Sequence, residues 1–259
     1  MPTKAMLVDI TKCIGCRACQ VSCKRWNDRP AVKTEQNDEW TNPSSLSPET
    51  FTFIRFKLFD RGNDNIAWRF VKWQCMHCDE PPCLPVCPAS AIYKREEDGV
   101  VHTNDDRCIG CGACVIACPY DARHIDPARG TATLKCTLCL DRIGEDMEPA
   151  CVQACPTDAL EFGDKDYIVA KARARAQTME GYVYGDETTG IGTQIIYVSD
   201  IPFEEYGFFP TEDRRVYPTD WIKSQSFPLT GVAIAGLAGL AAIGLITRRR
   251  KEVSESEKK

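Results

Sequence analysis

The 259-residue sequence is poor in the groups that most enzymes use. It holds three histidines, His77, His102 and His124, and no C-x-x-C-H run, so a covalently attached c-type haem has no anchor. No G-x-S-x-G, G-x-x-x-x-G-K-[ST] or H-E-x-x-H stretch occurs. Their absence removes the usual signatures of acyl transfer, nucleotide hydrolysis and zinc peptidase chemistry. "TGIGTQ" (Thr189–Gln194) lacks the third glycine and the preceding strand of a dinucleotide fingerprint. Basic residues are not in excess: 32 Lys and Arg against 37 Asp and Glu give a formal charge of -5, the wrong sign for a nucleic-acid surface. The opening "MPTKAMLVDITKC" has no charged segment followed by an apolar core and no twin-arginine pair. The expectation is a chain with no export signal of its own.

What the chain has is cysteine, sixteen residues in four groups of four. Group one is Cys13, Cys16, Cys19 and Cys23, spaced C-x2-C-x2-C-x3-C; group three, Cys108, Cys111, Cys114 and Cys118, repeats that spacing. Group two is Cys75, Cys78, Cys83 and Cys87; group four is Cys136, Cys139, Cys151 and Cys155, with an eleven-residue gap at Leu140–Ala150. Proline follows the last cysteine of groups two to four (Pro88, Pro119, Pro156), and Lys24 takes that place in group one. "CIGC" occurs at both Cys13 and Cys108, which points to an internal duplication.

The spacing of groups one and three is that of bacterial ferredoxins, where three cysteines wrap one cubane and the fourth reaches to the other cluster of a pair. Small residues between the ligands (Gly15, Ala18, Gly110, Gly112, Ala113) let backbone N–H groups approach cluster sulfurs. Crossing requires pairs of groups; four groups and sixteen thiolates make four [4Fe–4S] sites with none left over. A structural zinc protein explains group four alone but not the tighter groups, and a disulfide scaffold fails on spacing and length. Clusters without evident substrate chemistry describe an electron carrier, with a redox enzyme acting alone as the rival. His77, inside group two, is expected at the surface or packed behind the ligands. Lys12, Arg17, Lys24, Arg107, Lys135 and Arg142 flank the groups, as counter-charges or as a solvated surface.

Residues 25–72 read as an insertion. "TFTFIRFKLF" (Thr50–Phe59) predicts a strand, and Trp68, Phe70 and Trp73 either shield clusters, meet a partner or fill core. Asp164–Met179 predicts a helix opened by an aspartate, and Gly192–Asp200 a strand. From Leu229 to Thr247 no charge occurs. At 1.5 Å rise per residue such a helix spans about 28 Å, close to a bilayer's hydrocarbon thickness. Gly231, Ala235 and Gly239 suit close packing on another membrane helix, and Trp221, Lys223 and Phe227 stand near its first interface. Arg248–Lys251 place the C-terminus in the cytoplasm and the cluster domain in the periplasm or its equivalent. Without its own signal, export as a folded complex with a signal-bearing partner is expected.

"KCIGCRACQVSCKRWND", "QCMHCDEPPCLPVCPASAI", "CIGCGACVIACPY" and "KCTLCLDRIGEDMEPACVQACPTDAL" together resemble the iron–sulfur (beta) subunit of membrane-bound molybdopterin formate dehydrogenases, a four-cluster electron-transfer subunit of the dimethyl sulfoxide reductase superfamily. The similarity also takes in "NPSSLSPETFTFIRF", "GYVYGDETTGIGTQIIYV" and the C-terminal span. The corresponding subunit of membrane-bound nickel–iron hydrogenases is similar and is the alternative. The resemblance implies an α+β fold of two intertwined ferredoxin-like 2[4Fe–4S] modules, an inserted segment and one transmembrane helix. It assigns 1–24 with 130–163 to the first module, 73–129 to the second, 164–228 to a partner-contacting extension and 248–259 to a cytoplasmic tail. It further implies that Cys13, Cys16, Cys19 and Cys155 hold cluster one, and Cys23, Cys136, Cys139 and Cys151 cluster two. Cys75, Cys78, Cys83 and Cys118 then hold cluster three, and Cys87, Cys108, Cys111 and Cys114 cluster four. Some relatives have tryptophan at the second cysteine of group three and a three-iron cluster; Cys111 implies four irons here. By the same resemblance, cluster one faces a molybdopterin catalytic subunit and cluster four a membrane cytochrome b that passes electrons to quinone in anaerobic respiration.

Overall fold

The computed structural model describes residues 3–35, 40–62, 65–131, 134–189 and 191–208. Strand β1 (Lys4–Asp9) leads into group one, which continues on helix α1 (Ala18–Trp26). The insertion is a ribbon of β2 (Thr52–Asp60) and β3 (Ile66–Gln74). Short strands β4 (Ile92–Lys94) and β5 (Val101–Thr103) lie between groups two and three. Single-turn helices follow: α2 (Ala113–Ile116), α3 (Leu140–Ile143) and α4 (Ala150–Gln153). The described chain closes with β6 (Leu160–Asp164), α5 (Lys165–Thr178), β7 (Tyr182–Tyr184) and β8 (Ile195–Ser199).

The main sheet has the order β6-β1-β8-β7, with β1 antiparallel to β6 and parallel to β8. Its two central strands are buried on both faces, which is why "AMLV" and "IIYV" are continuous apolar runs rather than alternating ones. The alternation of the pleat sorts them. Ala5, Leu7, Ile196 and Val198 face Ile168, Val169, Ala172 and Ala176 of α5. Met6, Val8, Ile195 and Tyr197 face the other way, into a core shared with Cys19, Cys75, Cys78, Cys136 and Cys151.

Strand pairing gathers the cysteine groups. β1 runs into group one and β6 leaves group four; Val8 pairs with Leu160, so both groups emerge at one end of the sheet. In the same way β4 leaves group two and β5 enters group three, with Ile92 opposite Thr103. The duplication signalled by "CIGC" extends to the backbone: Gly15 and Gly110 have φ of 69° and 68°, and Arg17 and Gly112 have 62° and 75°. Helices α1 and α2 start directly after them. A Cβ on Gly110 would lie 1.8 Å from the Gly130 carbonyl oxygen, so that position requires glycine. Arg17 adopts the left-handed region despite its side chain. Its guanidinium bonds the Trp40 carbonyl and lies 4.7 Å from the Phe56 ring centroid.

Three expected elements are present with shifted ends. The strand predicted from Thr50 starts at Thr52, because Thr50 turns back onto Ser47 in a separate bridge. Asp164 ends β6 and stands at the N-cap of α5, as expected, but its carboxylate makes no capping bond and takes the Lys4 ammonium at 2.6 Å. The strand predicted over Gly192–Asp200 is shorter because Thr193 bridges to Cys78 and the Gln194 N–H bonds the Met76 carbonyl, tying this segment to group two. Among the described residues no helix is long and apolar enough to cross a membrane. The span expected at Leu229–Thr247, its flanking Trp221, Lys223 and Phe227, and the basic run Arg248–Lys251 lie outside the described residues.

Candidate metal centres

Three cavities have cysteine walls. One is lined by Cys13, Cys16, Cys19 and Cys155, a second by Cys23, Cys136, Cys139 and Cys151, and a third by Cys87, Cys108, Cys111 and Cys114. The remaining four sense one another's charge. Burial pushes the Cys78 thiol well above its usual value, and Cys75, Cys83 and Cys118 push it further. Cys118 is raised to about 11 by burial and by Cys75. Each set of four draws on two sequence groups, as the strand pairing dictates.

Local backbone geometry aims N–H groups at the sulfurs. After the last cysteine of groups two, three and four the chain reads Cys-Pro-x-Ser or Cys-Pro-x-Asp, and Ser90, Asp121 and Asp158 all have φ between 47° and 49°. That turn brings the Ala91 N–H to 3.2 Å from Cys87 Sγ and the Ala122 N–H to 3.4 Å from Cys118 Sγ. In group one, Lys24 in place of proline lets α1 run on to Trp26, and the Asn27 side-chain amide donates to Cys23 Sγ at 3.6 Å. The Leu138 N–H serves Cys136 Sγ at 3.4 Å. Such donors stabilise negative charge on sulfur.

The protonation chemistry of the sites is that of buried thiols. Burial raises Cys19 and Cys136 to about 12 and Cys139 to about 11, and pushes Cys23 well above its usual value; the Lys72 cation offsets part of this at Cys19, Cys23 and Cys136. A metal centre must expel those protons on binding. The donor set is all sulfur, largely buried, supplied with N–H donors and accompanied by buried cations, which fits an anionic thiolate-bound cluster. All sixteen cysteines are free. A tetrahedral zinc with Zn–S of about 2.3 Å would draw its thiolates to within about 3.8 Å of one another. Among the described residues no three His, Cys, Asp or Glu groups are gathered to hold a single ion. Four [4Fe–4S] clusters account for the sixteen cysteines.

Two cations at these sites carried no sequence signal. Lys72 is 1% exposed and lines both the first and the second cavity. Arg123, also 1% exposed, stands by Cys83, Cys75 and Cys114 and donates to Thr103 Oγ1 at 3.0 Å. Neither lies within a cysteine motif. Lys72 interrupts an aromatic strand, where a lone lysine ordinarily reads as solvent-facing. Of the flanking cations expected from sequence, Lys135 and Arg142 are buried and Arg107 is exposed. His77 is fully buried, which overturns the surface reading: its Nδ1 accepts the Val101 N–H at 3.2 Å, and burial, with Lys135 and Arg123 nearby, holds its pKa well below the usual range. The aromatics divide. Trp73 is core, Phe70 packs its ring over Gly15, and Trp68 is 43% exposed beside Trp40.

The 4Fe-4S dicluster domain family matches the chain twice, over residues 12–91 and 66–165, so two such domains of mixed α and β structure cover all four cysteine groups. The "Formate dehydrogenase iron-sulfur subunit" of Haemophilus influenzae is 36% identical over 245 residues, 90% of this chain and 77% of that protein. The "Formate dehydrogenase, nitrate-inducible, iron-sulfur subunit" of Escherichia coli is 36% identical over 264 residues, 98% of this chain and 88% of the relative. The "Hydrogenase-2 operon protein HybA" of Escherichia coli O157:H7 is 32% identical over 233 residues, 77% of this chain and 70% of the relative. With its two dicluster domains and similarity along nearly its whole length, the chain belongs to the family of formate dehydrogenase iron–sulfur subunits.

Proposed function

We propose that the protein is the non-catalytic electron-transfer subunit of a formate dehydrogenase complex. It relays electrons through four [4Fe–4S] clusters from a molybdopterin catalytic subunit to a membrane cytochrome b and quinone. The observation that carries this reading is the exposure of two cysteines only, Cys16 and Cys111, one in the first cavity and one in the third. Each sits between exposed apolar neighbours at matching places of the duplication: Ile14 and Val21 beside Cys16, Ile109 and Ile116 beside Cys111. A carrier needs two such openings, one for the donor and one for the acceptor, with everything between them dry.

In this reading Cys13, Cys16, Cys19 and Cys155 hold the entry cluster, and Cys23, Cys136, Cys139 and Cys151 the second. Cys75, Cys78, Cys83 and Cys118 hold the third, and Cys87, Cys108, Cys111 and Cys114 the exit cluster. The four-cysteine walls of the three cavities support the pairing, as does the mutual charge of Cys75, Cys78, Cys83 and Cys118. The second and third sites adjoin: Cys75 is close enough to push the Cys136 thiol up. The modules are intertwined, 1–24 with 130–163 around 73–129. Residues 229–247 anchor the chain in the membrane, with the clusters outside and the tail in the cytoplasm.

Purification of the complex from membranes tests this. The expected result is about sixteen irons per chain, formate-dependent reduction of the clusters, and a co-purifying molybdopterin subunit. The likeness to a hydrogenase-2 operon protein sustains a second reading, a hydrogenase donor. Reduction by hydrogen and not by formate would establish that reading and reject the first. Proteolysis of residues 1–228 in right-side-out spheroplasts tests orientation; protection there would overturn it.

A further inference from the structure

Lys72 lies on β3 between two buried neighbours, Val71 and Trp73. Its backbone is fixed from both sides: it pairs with Ile54 across the ribbon, and its carbonyl accepts the Tyr197 hydroxyl at 2.8 Å from the main sheet. The side chain is buried, and its ammonium has no hydrogen-bond partner among the described residues. A buried ammonium left without a counter-charge is strongly unfavourable. Among the described residues no carboxylate lines either cavity that Lys72 borders. The negative charges it faces are sulfurs of both sets: Cys151, Cys19, Cys136 and Cys23. Arg17 also lines the first cavity, but its guanidinium is tied to the Trp40 carbonyl and the Phe56 ring.

We propose that Lys72 is a shared counter-cation of the first two clusters, inserted between their cavities, and that it raises the reduction potential of both. This rests on the ligand pairing proposed above. The sign follows from charge. One-electron reduction adds a negative charge to a cluster that is already anionic with its four thiolates. A fixed buried cation therefore stabilises the reduced form more than the oxidised form, and burial leaves little water to screen it. One cation bordering two sites acts on both in the same direction. Electron transfer from the first cluster to the second then has a driving force less sensitive to Lys72 than either potential alone. Lys72 is thus a positioning and tuning residue that touches neither formate nor quinone.

The test is redox titration of the intact complex, followed by electron paramagnetic resonance. Cys16→Ser and Cys139→Ser first identify the signals of the two sites. If both strike the same signal, the pairing falls whatever Lys72 does. With the two signals distinguished, Lys72→Met is expected to lower both midpoint potentials by at least a tenfold change in reduced-to-oxidised ratio, about 59 mV for a one-electron couple. The other two clusters, beside Arg123, stay unshifted. Lys72→Arg, which keeps the charge, is expected to keep both potentials near their original values. Unshifted potentials in a Lys72→Met complex with its full iron content would overturn the proposal. So would an equal shift of all four clusters, or a Lys72→Arg shift as large as that of methionine. If Lys72→Met fails to retain iron, Lys72→Arg must restore both iron and potentials, or the counter-cation role is rejected.

Discussion

At the scale of single residues, the two exposed cysteines and the glycines beside them carry the sharpest expectations. Cys111→Ser is expected to damage the exit cluster alone. Formate oxidation with an artificial dye acceptor should survive while electron flow to quinone stops, and one of four cluster signals should disappear. Loss of all four signals in a folded complex would contradict separate sites. Gly110→Ala attacks the same site through the backbone. The residue sits at φ 68°, and a Cβ would drive into the Gly130 carbonyl at 1.8 Å. The atoms met are backbone and not the end of a flexible side chain, so the loop that presents Cys108 and Cys111 must move. Iron analysis is expected to fall by about four of sixteen atoms, with the signals of the other three clusters retained.

At the scale of elements, the ribbon of β2 and β3 is tied to the main sheet by shared core, by the Tyr197 hydroxyl on the Lys72 carbonyl and by one carboxylate. Asp200, just beyond β8, accepts from Arg69 Nε and Nη2 at 2.9 and 2.6 Å and from Arg61 Nη2 at 2.9 Å. The Arg69 hydrogen bonds hold its carboxyl below the ordinary value of 3.8, against the opposing effect of burial. A carboxyl whose folded pKa is depressed stabilises the fold fully above its unfolded pKa, and that stabilisation fades as pH falls through the folded value. Asp200→Asn is therefore expected to loosen the ribbon by about 1 kcal/mol near neutrality, the pairs being partly solvated. Brief protease exposure would read this as faster cutting of the ribbon. The difference from the unmodified protein should be constant from pH 6 to 8 and should shrink below about pH 4. Lys72 rides on this ribbon, so its placement between two cavities depends on the same clasp. Sequence alternation located β2, while β3 was read only as a run of aromatics. It could not locate the clasp, because Arg61, Arg69 and Asp200 are brought together only when the tail of the sheet folds back over the insertion.

At the scale of the whole molecule, most of the sixteen cysteines lie buried or half-buried, and Cys16 and Cys111 reach the surface. Under the proposed anchoring, truncation after residue 228 is expected to release the subunit from membranes with its iron content unchanged, as membrane fractionation and metal analysis would record. Retention in the membrane fraction would mean that partner contacts, not the apolar run at Leu229–Thr247, hold it there.

Number and kind of metal centre were legible in the sequence because ligand chemistry is local. Thiolates three residues apart must wrap something small, and positive φ at Gly15 and Gly110 follows from residue type. Helix α5 and strands β2 and β8 were legible to within a few residues of their ends, whereas β1, β3, β6 and β7 were not. Which cysteines share a cavity did not follow from the spacing of any one group, since each set joins residues up to 142 positions apart, Cys13 to Cys155, through the β1–β6 pairing. Nor were Lys72 and Arg123 legible as buried charges. Local sequence sets a side chain's charge, but its burial is decided by whatever packs over it from elsewhere in the chain. In this protein only the tertiary structure brings those parts, the main sheet and the cysteine loops, around the two cations.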